Sequence, residues 1–183
     1  SGYPQPDHVA SMNRNTEYKI VRVDECVRRR KKMAKYHTVG LAHGCFDVLT
    51  PSHVKFLRDA ACNCINLIVS VSSDEVAKRL KGPDRPTFKL EDRLLHIASF
   101  EFVSYVVVCD DDDASSLIKR LSPVILMKGH DSVESTSPGF LLEKDMAVAT
   151  GGSVMYVVAG KQNHSSELIA SLGQTCLQSL SVE

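Results

Sequence analysis

The segment HGCFDVLTPSHV, residues 43–54, combines groups that suit phosphate binding. Gly44 lets the backbone approach a ligand closely, and Pro51 with Ser52 favours the start of a helix at this point. His53 then lies in the first helical turn, where free backbone N–H groups attract phosphate and an imidazole can stabilise charge. The segment therefore predicts an anion site at a strand-to-helix turn. A histidine that only bonds to the helix backbone is the alternative.

Basic side chains are concentrated in a second segment, KRLKGPDRPTFKLEDR, which covers residues 78–93. Gly-Pro and Arg-Pro turns interrupt this segment, so the sequence predicts a loop. Ammonium and guanidinium groups on such a loop suit a di- or triphosphate, and a solvated loop is the alternative. The cations of interest are Lys78, Arg79, Lys81, Arg85 and Arg93.

Two further segments place polar groups directly after apolar runs. MKGHD, residues 127–131, closes one such run with a lysine, a glycine and two polar side chains. KQNHSSEL, residues 161–168, follows another, and Ser165 or Ser166 can cap a helix there. The chain thus offers anion-binding groups in several segments that are distant in sequence.

These segments must be positioned by an alternation of apolar runs and amphipathic stretches. The runs predict strands at 38–42, 66–72, 104–109, 124–129 and 153–158, and the stretches predict helices at 23–35, 54–61, 91–100, 115–121, 140–150 and 165–173. Continuous Val, Ile and Leu runs that are followed by helices indicate parallel strands covered on both faces. We therefore predict an α/β fold with a Rossmann-like, doubly wound parallel sheet of about five strands. Ligands bind such sheets beyond the carboxyl ends of the strands.

Composition narrows the classes of function. Lys plus Arg and Asp plus Glu both number 22 among 183 residues, so net charge gives no reason to expect nucleic acid or an anionic membrane. The sequence contains no apolar run of about 20 residues, so it predicts no membrane span. We expect one domain over residues 15–183, preceded by a disordered extension or cloning scar over residues 1–14. The six cysteines show no paired zinc spacing, which favours reduced core thiols and a cytoplasmic location.

Several motifs follow one another along the chain. In order, they are GCFD with a histidine shortly after it, KGPDRP, EDR, MKGHD and a Ser-Ser helix start. On these residues, over about 37–172, the chain resembles the cytidylyltransferase-like nucleotidyltransferases with a His-x-Gly-His signature. Within that superfamily it is most similar to the heptose-1-phosphate adenylyltransferase domain. The resemblance implies a homodimer that transfers a nucleoside monophosphate from an NTP with Mg²⁺ to a phosphorylated sugar or polyol and releases pyrophosphate.

The same resemblance implies site residues by position. His53 matches the second histidine of the signature, Lys81 matches a phosphate-binding lysine, and the backbone after Gly44 is expected to contact nucleotide phosphates. Arg85 and Arg93 are expected to bind phosphate or to fix the loop. The implied catalytic residues are His53, Lys81 and Thr50; the nucleotide-binding residues are Gly44, Cys45, Phe46, His53, Lys128, Gly129, Asp131, His164, Ser165 and Ser166; the phosphate-binding residues are Lys81, Arg85 and Arg93.

The signature itself is incomplete, because it reads Thr50-Pro51-Ser52-His53. A threonine hydroxyl is shorter than an imidazole and never cationic, and the loss of one transition-state donor typically costs about 100-fold to 1000-fold in rate. His43, His130 or His164 could replace the missing donor. Together with His53 these histidines could instead bind a metal ion, although we expect no metal site.

Three functions are compatible with these residues. The first is an active nucleotidyltransferase, and the second is a catalytically weakened nucleotide-binding or regulatory homologue. The third is a nucleotide hydrolase with an altered site. The sequence leaves open the choice of ATP or CTP and the identity of the acceptor.

Overall fold

The computed structural model describes residues 16–32 and 38–158. Its strands are β1 (Val39–Gly44), β2 (Asn66–Ser72), β3 (Tyr105–Cys109), β4 (Ile125–Gly129) and β5 (Ser153–Val157). All neighbouring strands are parallel, and their order in the sheet is β3-β2-β1-β4-β5. The predicted Rossmann-like sheet is confirmed. The predicted extension over 1–14 and the predicted helix over 165–173 lie outside the described residues.

Helices cover both faces of this sheet. They are α1 (Val23–Lys32), α2 (Pro51–Cys62), α3 (Asp74–Lys81), α4 (Leu90–Ala98), α5 (Ser115–Leu121) and α6 (Pro138–Ala149). Buried side chains of α2 and α4 pack on one face, and those of α1, α5 and α6 pack on the other. No helix within the described ranges is both long and apolar enough to cross a bilayer.

The strands are apolar at successive positions because both of their faces are covered. In β1, Leu41 and Ala42 are both fully buried, although neighbouring side chains of a strand point to opposite faces. Leu41 packs with the α1, α5 and α6 layer, and Ala42 packs with the α2 and α4 layer. The polar end of β1, His43 and Gly44, is only partly buried and leads into the turn before α2.

The structure corrects the prediction of a loop over 78–93. Residues Asp74–Lys81 form α3, and the loop begins only at Gly82. The helix begins there because Ser73 caps it, with its hydroxyl accepting the Val76 N–H at 3.5 Å. Acidic side chains in the first turn and basic ones in the last complement the helix dipole. The first part of the basic segment, residues 78–81, therefore forms the last turn of α3.

The strand order reverses between β1 and β4, and this reversal positions the site. In doubly wound sheets, ligands bind in the crevice outside the carboxyl ends of the strands at such a point. The pairing of these two strands aligns Ala42 with Met127. The segments that follow β1 and β4 consequently begin side by side at one edge of the sheet.

Candidate active site

A cavity of about 450 Å³ opens at the carboxyl ends of β1 and β4. Its walls come from the turn between β1 and α2, the start of α2, the end of α3 and the segment after β4. This volume suits a small-molecule ligand of nucleotide size. The predicted site residues on its walls are Gly44, Cys45, Phe46, His53, Lys81, Lys128, Gly129 and Asp131.

His53 is oriented by the residue that caps its own helix. The Thr50 backbone N–H donates to His53 Nδ1 at 3.2 Å, and the Thr50 hydroxyl oxygen lies 3.0 Å from the same nitrogen. Because a backbone N–H can only donate, Nδ1 is the acceptor in this contact, and the ring hydrogen is carried by Nε2. The edge contact with Phe46, at 5.9 Å between ring centroids, further fixes the imidazole. The remaining ring nitrogen is thus a hydrogen-bond donor for a ligand.

Glycines shape the two turns that face the cavity. A Cβ on Gly44 would lie 3.2 Å from the Phe46 ring, which occupies the space below the turn. Phe46 itself has a φ of 48°, a left-handed conformation that few side chains adopt readily. A Cβ on Gly129 would lie 2.4 Å from an oxygen of Asp131. Any larger residue at either glycine would displace the wall that a ligand contacts.

Lys81 brings a cation to the cavity from the end of α3. Its side chain is exposed and lines the cavity, whereas the exposed Lys78, one turn earlier on the helix, does not. Arg79 points elsewhere, because it pairs with Asp112. The basic segment therefore supplies Lys81 to the site.

Asp47 holds the loop that follows α3. Its carboxylate is almost fully buried and accepts the Thr87 and Phe88 backbone N–H groups at 2.7 and 3.1 Å. It also pairs with Arg85 at 2.6 Å. Burial acts to raise the pKa of Asp47, but the two N–H donors and the nearby guanidiniums outweigh it and hold the pKa below its ordinary value. Arg85 thus fixes this loop and does not line the cavity.

Arg93 is bonded to protein groups on several segments around the cavity. Its side chain is fully buried, and Nη1 donates to the Cys45 and Ser72 carbonyl oxygens at 2.6 and 2.8 Å. Nε donates to the Phe88 carbonyl oxygen at 3.0 Å, and Nη2 pairs with Asp74 at 2.7 Å. The expected roles of Arg93 were to bind phosphate or to fix the loop. The structure supports the second, because the guanidinium donates to protein acceptors.

Thr50 also differs from its predicted role. It does not line the cavity, and it is the N-cap of α2 with an exposed side chain. Its contacts with His53 Nδ1 make it a positioning residue, because they occupy Nδ1 and leave Nε2 as the available ring nitrogen. In this arrangement the Thr50 hydroxyl contacts His53 and does not line the cavity.

Lys128 forms a part-buried ion pair with Glu143 on α6. Glu143 also accepts the Ala114 backbone N–H at 3.0 Å, so this carboxylate ties α5, α6 and β4 together. The ammonium lies 5.2 Å from the centre of the Phe140 ring. An ammonium has three donors, so Lys128 keeps hydrogen-bonding capacity for a ligand after pairing.

Two further histidines reach the cavity wall, His43 and His130. His43 Nδ1 lies 3.0 Å from the Ser70 hydroxyl on β2. Burial lowers the pKa of His43, and the Glu143 carboxylate opposes this only in part, so the ring is neutral near neutral pH. Among residues 16–32 and 38–158, no group of three His, Cys, Asp or Glu side chains could hold a metal ion.

The remaining predicted residues, His164, Ser165 and Ser166, lie outside the described residues. Sequence reasoning did not assign roles to Asp47 or Glu143. Asp47 could have been found, since it stands directly in the GCFD motif, whereas Glu143 is one of many acidic residues on helices. The cavity residues that it did not assign to the site are Ser52, Phe56, Met127, Ser132 and Val157.

A Rossmann-like parallel sheet with a cavity and a strand-to-helix turn at its topological switch point defines the class of the domain, an α/β domain of the doubly wound type. The sequence profile of the cytidylyltransferase-like family matches residues 41–169, and the chain belongs to this family. The bifunctional protein HldE of Caulobacter vibrioides is 37% identical over 134 residues, which are 73% of this chain and 27% of that protein. HldE of Mesorhizobium japonicum is 40% identical over 68% of this chain and 25% of its own length. The chain thus spans about a quarter of these curated relatives.

Solved structures give the same fold. A lipopolysaccharide core biosynthesis protein from Thermoplasma volcanium superposes with a TM-score of 0.55 at 21% identity, over 69% of this chain and 99% of the other. Pantoate-beta-alanine ligase from Francisella tularensis gives a TM-score of 0.55 at 12% identity, over 78% and 67% of the two chains. At such low identity these likenesses concern the fold alone.

Proposed function

We propose that this domain is a nucleotidyltransferase, which transfers a nucleoside monophosphate from Mg-NTP to a phosphorylated sugar or polyol and releases pyrophosphate. The observation that carries the proposal is the convergence of His53, Lys81 and the Gly44–Phe46 turn on one cavity. The motifs that resemble the heptose-1-phosphate adenylyltransferase domain, together with the similarity to the bifunctional HldE proteins, support the substrate class and make ATP the first donor to test and CTP the second.

The proposed reaction is an in-line displacement at phosphorus. A phosphate oxygen of the acceptor forms a bond to the α-phosphorus of the NTP. The bond from that phosphorus to the bridging oxygen breaks, and pyrophosphate leaves with the electron pair. The protein positions the reactants and neutralises charge, with no covalent intermediate on the chain. Mg²⁺ enters with the triphosphate as part of the substrate.

The cavity residues have separate roles in this reaction. His53 donates its Nε2 proton in a hydrogen bond to a phosphate oxygen, because Thr50 occupies Nδ1. The ammonium of Lys81 neutralises the leaving pyrophosphate. The free N–H groups at the start of α2 and the turn after Gly44 hold the remaining phosphate oxygens. Each contact gains strength as negative charge develops on the oxygens.

A catalytically weakened nucleotide-binding homologue is the second candidate. The observation that favours it is Thr50, which faces His53 and not the cavity. A domain of this kind would bind the NTP in the same cavity and turn it over slowly or not at all. Binding of an NTP without pyrophosphate release in the presence of any acceptor of the panel would identify it.

The test is pyrophosphate release across the four NTPs and a panel of sugar and polyol phosphates. We expect release with at least one pair of substrates, and His53→Ala should lower kcat/KM by about 100-fold or more because a transition-state donor is lost. His96→Ala is the matched control, since His96 is exposed on α4 and does not line the cavity. Full activity of the His53 variant would refute the assignment of the site.

A further inference from the structure

A second cavity, of about 440 Å³, adjoins the first beside the start of α6 and the loop before α5. His43, Lys128 and Ser132 line both cavities and form the wall between them. We propose that this second cavity is the acceptor site, which binds the hydroxyl-bearing part of a sugar or polyol phosphate and places the phosphate of that acceptor at the shared wall. The inference rests on the proposed function and deepens it.

The polar groups of the second cavity suit hydroxyl groups and not a polyphosphate. Its walls carry the carboxylates of Asp112, Asp113 and Glu143 and the hydroxyls of Ser135 and Ser137. Carboxylates accept hydrogen bonds at several positions, so those already paired with protein groups can still accept from ligand hydroxyls. Two of the three carboxylates are paired, Asp112 with Arg79 and Glu143 with Lys128, so the residues that line this cavity offer a triphosphate no unpaired cation and leave the charge of Asp113 to repel it. The NTP is therefore directed to the first cavity.

The second cavity also has apolar groups, which suit the C–H groups of a sugar or polyol. Phe140, Pro138 and the exposed Leu80 also line this cavity. Sites for small molecules combine apolar and aromatic walls with a few polar groups that fix orientation. A sugar or polyol offers both features, because its C–H groups contact apolar atoms while its hydroxyls bind the carboxylates.

The shared wall provides donors for the acceptor's phosphate. Lys128 uses one donor on Glu143 and keeps others. His43 Nδ1 lies against the Ser70 hydroxyl, and no hydrogen bond to Nε2 is present among the described residues. A phosphate at this wall faces the first cavity, which holds His53 and Lys81. The acceptor oxygen would thus reach a nucleotide in the first cavity from the side of the second.

Gly139→Leu tests the proposal, because it fills the second cavity and leaves the first open. Gly139 lies in the first turn of α6, and a Cβ there would be 3.2 Å from Asp113 Cβ. Leucine is also the better helix former. The probes are glycerol 3-phosphate and hexose and heptose 1-phosphates, titrated calorimetrically into protein saturated with a non-hydrolysable NTP analogue. Val148→Leu is the matched control, since Val148 is exposed on the same helix and lines neither cavity.

We expect Gly139→Leu to weaken binding of the acceptor by about 10-fold or more while the Kd of the NTP analogue stays unchanged. The unchanged Kd also shows that the variant is folded. Asp112→Asn, a substitution at an exposed side chain, should weaken acceptor binding several-fold and serves if the first variant does not fold. Unchanged acceptor binding in these variants, or loss of analogue binding in a folded one, would overturn the proposal. So would a wild-type protein that binds none of the probes at millimolar concentration.

The two proposals fail in different ways. If acceptors bind and Gly139→Leu abolishes their binding, but no pyrophosphate is released from any NTP, the acceptor site stands and the transferase reaction does not. If pyrophosphate is released and Gly139→Leu leaves the KM of the acceptor unchanged, the transferase stands and the acceptor site does not.

Discussion

Lys81 and Arg93 belong to the same basic segment, but the fold gives them opposite environments. Lys81 ends α3 with an exposed side chain that lines the cavity. Arg93, on α4, is fully buried and donates to backbone oxygens of the β1–α2 turn, the end of β2 and the loop before α4. The first cation is available to a ligand, whereas the second holds the segments that form the cavity.

This difference teaches that a basic residue in a phosphate-binding motif can serve the site without touching the ligand. A buried guanidinium satisfies carbonyl groups that would otherwise lose their hydrogen bonds to water. The Cys45 carbonyl is one of these groups, and it lies in the turn that lines the first cavity. Arg93 therefore acts through the position of this turn, and the two cations should separate stability from activity.

The largest effect is expected for Arg93→Met. The variant removes the donors for the Cys45, Ser72 and Phe88 carbonyl oxygens, and the free energy of unfolding should fall by about 3 kcal/mol or more. Urea unfolding measures this change. The control is Arg120→Ala, which breaks an exposed pair with Asp24 and should cost less than about 1 kcal/mol.

The assignment of Arg93 to stability and of Lys81 to activity would be contradicted if Arg93→Met keeps wild-type stability and raises the KM of the NTP. That result would return Arg93 to the role of a phosphate ligand. Arg93→Lys sharpens the comparison, because it keeps the charge but cannot reproduce the fork of donors. It should recover only part of the lost stability.

Lys81→Ala is expected to have the opposite profile. Removal of the ammonium from the cavity should lower kcat/KM by about 100-fold, as for other groups that stabilise transition-state charge. The free energy of unfolding should change by less than about 0.5 kcal/mol, since the side chain is exposed. Steady-state kinetics of pyrophosphate release and urea unfolding provide the two measurements. Lys78→Ala, on the same helix but away from the cavity, should leave both quantities unchanged; equal losses at both lysines would point to a general charge effect.

The smallest effect is expected for Asp47→Asn, which weakens the hold on the loop between the two cations. The amide keeps one acceptor for the Thr87 and Phe88 N–H groups but loses the charge that faces Arg85. Because Arg85 is partly exposed and solvent screens the pair, the cost at pH 7 should be about 1 kcal/mol.

This cost should depend on pH with a definite sign. The folded-state pKa of Asp47 is lowered, so the stabilisation is fully present above the ordinary carboxyl pKa of about 4 and is lost as the pH falls through the folded value. The difference between wild type and Asp47→Asn should therefore shrink as the pH is lowered from 7 to about 3. Thermal unfolding at several pH values measures it, and a difference that grows in acid would contradict the assigned contacts.

Much of the fold could be predicted from the sequence because its signals are local. The apolar runs predicted the bounds of every described strand to within two residues at either end. The 66–72 run matches β2 at both ends. The prediction of a loop over 78–93 was wrong. The Gly-Pro and Arg-Pro turns are a stronger local signal than the Ser73 cap, which begins α3. Once this helix is known, the position of Lys81 at its end follows.

The sequence by itself determined the family through its motifs, the strands through its apolar runs, and the set of segments that could bind phosphate. Only the tertiary structure decided which members of those segments face a ligand, since the same cation can line a cavity or lie beneath it. Arg93, the Lys128–Glu143 pair and the second cavity depend on contacts between residues far apart in sequence. Burial and hydrogen-bond partners are set by packing of the whole chain, and no local pattern carries them.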